Sequence, residues 1–156
     1  MLAALLSAGS VVAAETVVRT RVNRAPDGTF PRMLTQRVRL CRAHNRGLVG
    51  SRLESRPALA AAVQSVSAVG ALGLCVLAHL PDAGVPLFGR IGAGLIVGGA
   101  IANTGERLLK GRVTDYVHLK NSPVPLLRRR IWNIADAAIF NGAVLTAAGL
   151  ALGGAL

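Results

Sequence analysis

The stretch ALAAAVQSVSAVGALGLCVLAHL, residues 58–80, decides the fold. It holds no Asp, Glu, Lys or Arg, and Pro57 and Pro81 bracket it. Crossing a hydrocarbon core of ~30 Å takes roughly 20 helical residues. Proline lacks the N–H and clashes with the preceding turn, so a proline at each end reads as a pair of helix boundaries. Residues 58–80 therefore predict a membrane-spanning helix.

Three more segments follow on working outward. Met1 to Val18 is apolar apart from Glu15, and Leu87 to about Ala102 carries only Arg90 near its start. Ile131 to Leu156 carries one acid, Asp136, and none of the seven prolines falls inside these segments. Segment one could be a secretory leader, with Val12-Ala13-Ala14 resembling a cleavage site, but it lacks a basic start and Glu15 follows at once. The expected architecture is an all-α membrane protein, residues 1–156 forming a single integral membrane domain. Its helices lie at about 1–18, 58–80, 87–106 and 131–156, with polar loops at 19–57 and 107–130. Within the first loop, Gln36 to Arg42 alternates polar and apolar, which predicts a half-exposed strand after an Asp27-Gly28 turn. A small extramembrane β element is thus expected between helices 1 and 2. Gly94 with Gly98 and Gly149 with Gly153 are small-xxx-small pairs suited to close helix packing.

Composition agrees. Of 156 residues, 52% are hydrophobic, 3% aromatic and 16% charged, with mean hydropathy +0.49 and a net charge of +11. Such hydrophobicity excludes disorder, and two cysteines, Cys41 and Cys75, exclude a disulfide scaffold. A nucleic-acid module would account for the charge but not for the apolar runs, so no nucleic-acid partner is expected. Of the 18 basic residues, 17 lie in the two long loops, which four spans put on one side of the membrane. A basic rim there suits anionic lipid headgroups.

The seven acids are more informative. Asp27, Glu54 and Asp82 fall in loops. Glu15, Glu106, Asp115 and Asp136 lie inside or just beyond apolar segments, where a carboxylate is costly and function is the default reading. All four map to one membrane face. Glu15 and Arg19 are i,i+4 with the acid first, the favoured order for an ion pair. Asn103 shares a helical face with Glu106 and Arg107, and Asn133 with Asp136. Taken singly, Asp136 also reads as a first-turn carboxylate answering the helix dipole, and Asp115 as a plain loop acid. Two facing carboxylates can share one proton, the charged one activating water and the protonated one polarising a carbonyl. His44, His79 and His118 are scattered, and neither Ser-His-Asp nor metal-ligand spacing is present, so no competing catalytic set is visible; an aspartic pair would need neither a metal nor an organic cofactor.

GGAIANTGERLLKGRVTDYV (98–117) followed by IWNIADAAIF (131–140) resembles two motifs of lipoprotein signal peptidase, or signal peptidase II, whose patterns are close to GGAxGNxxDRxxxGxVVDF and FNxADxxI. His44-Asn45-Arg46-Gly47 is similar to the family's Asn-x-Gly, and Glu15 with Arg19 to its Asp and Lys four apart. All four motifs stand in family order. The resemblance implies a four-helix intramembrane aspartic peptidase that cuts prolipoprotein signal peptides before a diacylglyceryl-modified cysteine, in a bacterial cell membrane and with its site at the outer face. It implies Asp115 and Asp136 as the catalytic pair. Asn45, Gly47, Asn103, Arg107 and Asn133 would serve as substrate-binding residues, with Glu15, Arg19 and Glu106 in support.

Departures are visible. Glu15 and Glu106 stand for Asp, Arg19 for Lys, Ala102 for a glycine and Gly50 for an aromatic. The alternative is a catalytically impaired paralogue that binds lipoproteins or signal helices without cutting them. A proton-conducting bundle fits less well, because its acids should be spread through the membrane depth. Orientation is contested: by the positive-inside rule the basic loops should be cytoplasmic, whereas the resemblance puts them outside. A basic leader before the abrupt apolar start at Met1 would partly reconcile the two.

Overall fold

The computed structural model describes residues 1–48 and 52–153, so the departure at Gly50 and the last residues of segment four lie outside it. Four helices are long and apolar enough to cross a membrane: α1 (Leu2–Arg24), α2 (Pro57–Leu77), α3 (Leu87–Lys110) and α5 (Ile134–Gly153). A short 3-10 turn, Pro81–Ala83, joins α2 to α3, and a single turn, α4 (Pro125–Arg128), precedes α5.

The long helices pack inside-out relative to a water-soluble bundle. Leu2 and Leu5 on α1, Val66 and Val69 on α2, and Phe140 on α5 face outward. Small residues fill the inside. Helix α3 lies at the centre, with α1, α2 and α5 around it. A Cβ on Gly98 would meet the carbonyl and Cα of Ala8 at 2.6 and 2.7 Å, and one on Gly149 would meet the Cα of Gly89 at 2.8 Å. Gly92 and Gly142 face each other likewise, each within 2.7 Å of the other's carbonyl oxygen once a Cβ is added. Both small-xxx-small pairs thus mark real close approaches, as association in lipid requires when no apolar driving force separates helix from solvent. Prolines sit where expected: Pro57 opens α2 and Pro86 caps α3. Gly111, at φ +66, ends α3 in the left-handed conformation that glycine adopts at least cost.

Boundaries and sheet differ from the sequence reading. Helix α1 continues past Val18 to Arg24, and α3 continues to Lys110, because hydropathy reports the lipid-facing length of a helix rather than its whole length. The strand expected at 36–42 is β2 (Val38–Asn45), after β1 (Arg32–Met33). Its main partner comes from the other loop: β3 (Val113–Leu119) pairs antiparallel with β2, and β4 (Ile131–Trp132) pairs with β3. Order in the sheet is β1-β2-β3-β4, so the β element draws on both long loops. Residues 131–132, expected at the start of helix four, are its edge strand, and α5 begins only at Ile134.

That sheet carries Asp115 to the helices. Ala43 pairs with Asp115 and Asn45 with Val113. Alternation along a strand then puts Asn45, Val113 and Asp115 on one face and Thr114 and Tyr116 on the other. Val113, Thr114, Asp115 and Tyr116 are all buried, because both faces of this end of β3 are covered.

Candidate active site

A cavity of about 540 Å³ opens where the end of the sheet meets α2, α3 and α5. Asp115 from β3 and Asp136 from the first turn of α5 both line it. So do Asn45, Asn103, Arg107 and Asn133, while Val63, Ile139 and Phe140 supply an apolar wall. Six of the residues singled out in the sequence, distant along the chain, therefore face one space.

Asn133 joins the two aspartates. Its Nδ2 donates to Asp115 Oδ1 at 2.7 Å, and its Oδ1 accepts the backbone N–H of Asp136 at 2.8 Å. In return, the Asn133 backbone N–H donates to Asp136 Oδ2 at 3.4 Å. This is a reciprocal cap on α5, with Asn133 at the N-cap and the aspartate three residues on. The first-turn reading of Asp136 is thus correct as far as it goes, but the same carboxylate also accepts Asn103 Nδ2 at 2.9 Å and faces the cavity. Asp115 is a buried strand residue rather than a loop acid. Burial, and then the charge of Asp136, push its carboxyl up to about 7, against smaller opposing effects of Asn133 and Asn45.

Behind the cavity lies a buried ionic cluster. Arg19 Nε is 3.1 Å from Glu15 Oε2 and 3.1 Å from Glu106 Oε2. Its other nitrogens donate to the Ala102 carbonyl at 2.9 Å and to Asn103 Oδ1 at 2.6 Å. One guanidinium thus meets two acids and two carbonyl oxygens, which the fork of an arginine permits and a lysine ammonium does not. Glu106 accepts the Thr114 backbone N–H at 2.8 Å and the Thr114 hydroxyl at 2.9 Å, so it clamps the residue before Asp115. Lys110 Nζ adds an ion pair at 3.0 Å. Glu15, 1% exposed, accepts the Ala135 N–H at 2.6 Å and the Tyr116 hydroxyl at 3.0 Å. Burial holds the Tyr116 phenol above its usual range, so it is a hydrogen-bond donor at any ordinary pH.

Glu15, Arg19 and Glu106 therefore hold the lining from behind and do not themselves face the cavity. Asn103 bonds to Arg19 and Asp136 rather than to the neighbours on its own helical face. Arg107 Nε donates to Gln64 Oε1, and its Nη1 to the Arg46 carbonyl at 2.9 Å, tying α2 and the loop after β2 to α3. Gly47 stands off the cavity; its N–H donates to Asn45 Oδ1 at 3.0 Å and sets that side chain. Among the described residues no three His, Cys, Asp or Glu side chains are placed to hold a metal ion.

Three further residues belong to the site or its support. Gln64 lines the cavity from α2, and its signal was a lone amide in an uncharged apolar run. Trp132 lines it from β4, and Tyr116 buttresses it from behind; each is the single residue of its type in the chain. The site thus offers a buried carboxyl beside a second carboxylate, with amides, a guanidinium and an apolar wall around them.

Comparison with known proteins gives the same answer at the level of family. The model of the family described as signal peptidase (SPase) II matches residues 8–152. A lipoprotein signal peptidase of Methylorubrum extorquens is 40% identical over 80 residues, 51% of this chain and 43% of that protein. One of Brucella ovis is 43% identical over 61 residues, 38% of this chain and 35% of its own length. The matched stretches thus span less than half the length of these curated relatives. In shape, the chain is similar to a bacterial membrane enzyme solved by the in meso method at 2.3 Å, with TM-score 0.75 and 21% identity, covering 95% of this chain and 87% of that one. A second such structure, at 1.9 Å, gives the same TM-score over 94% and 91%. The chain is a multi-pass membrane protein and belongs to the signal peptidase II family.

Proposed function

We propose that the protein is an intramembrane aspartic endopeptidase that removes signal peptides from diacylglyceryl-modified prolipoproteins, cutting before the lipidated cysteine. The observation that carries this reading is the meeting of Asp115 and Asp136 at one cavity, bridged by Asn133, in a chain of the signal peptidase II family. With Asp115 pushed up to about 7 and Asp136 its neighbour, the pair is suited to hold one proton between them. The charged carboxylate takes a proton from water, which attacks the scissile carbonyl; the protonated one polarises that carbonyl and then protonates the leaving amine.

Around the pair, Asn45, Asn103, Arg107 and Asn133 bind and align the substrate backbone. The apolar wall of Val63, Ile139 and Phe140 holds acyl chains and the signal helix. Glu15, Arg19 and Glu106 keep the lining in place. The enzyme lies in a bacterial cytoplasmic membrane with its site at the outer face, where a lipidated cysteine sits, and its basic loops rest on anionic headgroups.

The test uses the purified full chain in detergent with one prolipoprotein in two forms, diacylglyceryl-modified and unmodified at the cysteine. Product mass is read by mass spectrometry. Cleavage of the modified form alone, directly before the cysteine, is the expected outcome. Binding of the modified form without any product would move the chain to the non-cleaving alternative.

A further inference from the structure

The N-terminal turn of α5 holds Asp136, and three residues from three different parts of the chain satisfy its free N–H groups. The first N–H groups of a helix have no partner within it and need one outside. Here Ile134 N–H donates to the Tyr116 hydroxyl at 3.1 Å, Ala135 N–H to Glu15 Oε1 at 2.6 Å, and Asp136 N–H to Asn133 Oδ1 at 2.8 Å. Tyr116 in turn donates its own proton to Glu15 Oε2 at 3.0 Å. Phenol and carboxylate are therefore one unit, lying across the start of the helix and anchored by Arg19 to Glu15 at 3.1 Å. Tyr116 is 2% exposed and does not line the cavity. It follows Asp115 directly on β3, so one strand carries one aspartate of the pair and the hydroxyl that seats the helix of the other.

We propose that Tyr116 is a positioning residue: through its hydroxyl and Glu15 it fixes the first turn of α5, and with it the Asp136 carboxylate relative to Asp115. The inference rests on the peptidase reading of the two aspartates. Both oxygens of Glu15 are used, one by the Ala135 N–H and the other by the Tyr116 hydroxyl.

Four proteins test it: wild type, Tyr116→Phe, Glu15→Asp and the double variant, each assayed for kcat and KM on the diacylglyceryl-modified prolipoprotein and for amide exchange at residues 134–136. Loss of the hydroxyl removes one hydrogen bond from the turn, so Tyr116→Phe is expected to lower kcat about tenfold. KM is expected to stay within about twofold, since nothing lining the cavity is removed. Exchange at 134–136 should quicken. The double variant is expected to lose less than the product of the two single losses, because both act on one turn.

A lower melting temperature with unchanged kcat per folded molecule would make Tyr116 structural only and overturn the proposal, as would multiplicative losses in the double variant. If wild type cuts nothing, the peptidase reading fails on its own. Exchange then still decides whether Tyr116 seats the turn, and unchanged exchange in Tyr116→Phe overturns it.

Discussion

Asn133 holds Asp115 by a 2.7 Å hydrogen bond between residues 18 apart in the chain, and the same amide caps the helix that carries Asp136. Neither carboxylate is placed by its own element alone. Asn133→Ala removes both bonds. It should cost about 1 kcal/mol of stability through the lost cap, and far more in rate: a small misplacement of reacting groups costs on the order of a hundredfold. Cleavage rates and thermal midpoints of the variant, measured side by side, check that disproportion.

Arg19 is the counterion of two buried glutamates, 3.1 Å from each. A lysine there has one ammonium and cannot reach Glu15, Glu106, Asn103 and the Ala102 carbonyl together. Lysine keeps the positive charge but not all the donors, and a buried acceptor left without its partner costs about 1–3 kcal/mol. Thermal unfolding in detergent should show a clear drop for Arg19→Lys and none of note for Arg21→Lys, whose side chain is exposed.

Glycine contacts make a graded prediction. A Cβ at Gly142 would meet the Gly92 carbonyl at 2.6 Å and Ile96 Cγ1 at 2.9 Å, whereas one at Gly73 meets nothing within 4 Å. Gly142→Ala should cost about 1–3 kcal/mol by forcing α3 and α5 apart. Gly73→Ala should be neutral or gain up to about 1 kcal/mol from helix propensity. Melting points of the two variants test the close approach directly.

Burial of Asp115 contributes a pH dependence to stability. Its carboxyl is raised from 3.8 to about 7 by burial and by Asp136, so the folded protein holds this proton more tightly than the unfolded chain. The sign follows from linkage: stability contributed by this group is full below about pH 4 and falls as pH rises towards about 7. Above that it changes no further. Asp115→Asn should lack this slope in a series of unfolding midpoints taken against pH. In the proposed mechanism the rate depends on one proton in the pair, so kcat/KM of wild type should fall as pH rises above about 7.

The helices were legible because a lipid-facing segment must be apolar over its full span, and proline marks its ends. Residues 58–80 could hardly read otherwise. The four acids at one face were legible for the same reason, since a carboxylate beside an apolar run stands out. Less was visible where the signal is non-local. Pairing of Ala43 with Asp115 depends on two loops that share no local pattern, so Asp115 looked like a loop acid. The end of α1 from Arg19 to Arg24 is helical but polar, and hydropathy stopped at Val18. Tyr116 gave no sign at all: a lone phenol becomes meaningful only when Glu15 and the start of α5 meet it.

If Asp115 and Asp136 form one catalytic pair, neither can be spared. Purified wild type, Asp115→Asn and Asp136→Asn are incubated with a diacylglyceryl-modified prolipoprotein, and loss of the signal peptide is followed by gel shift. Complete processing by wild type and none by either variant is expected, although asparagine keeps the size of each side chain. Processing that survives both substitutions would contradict it.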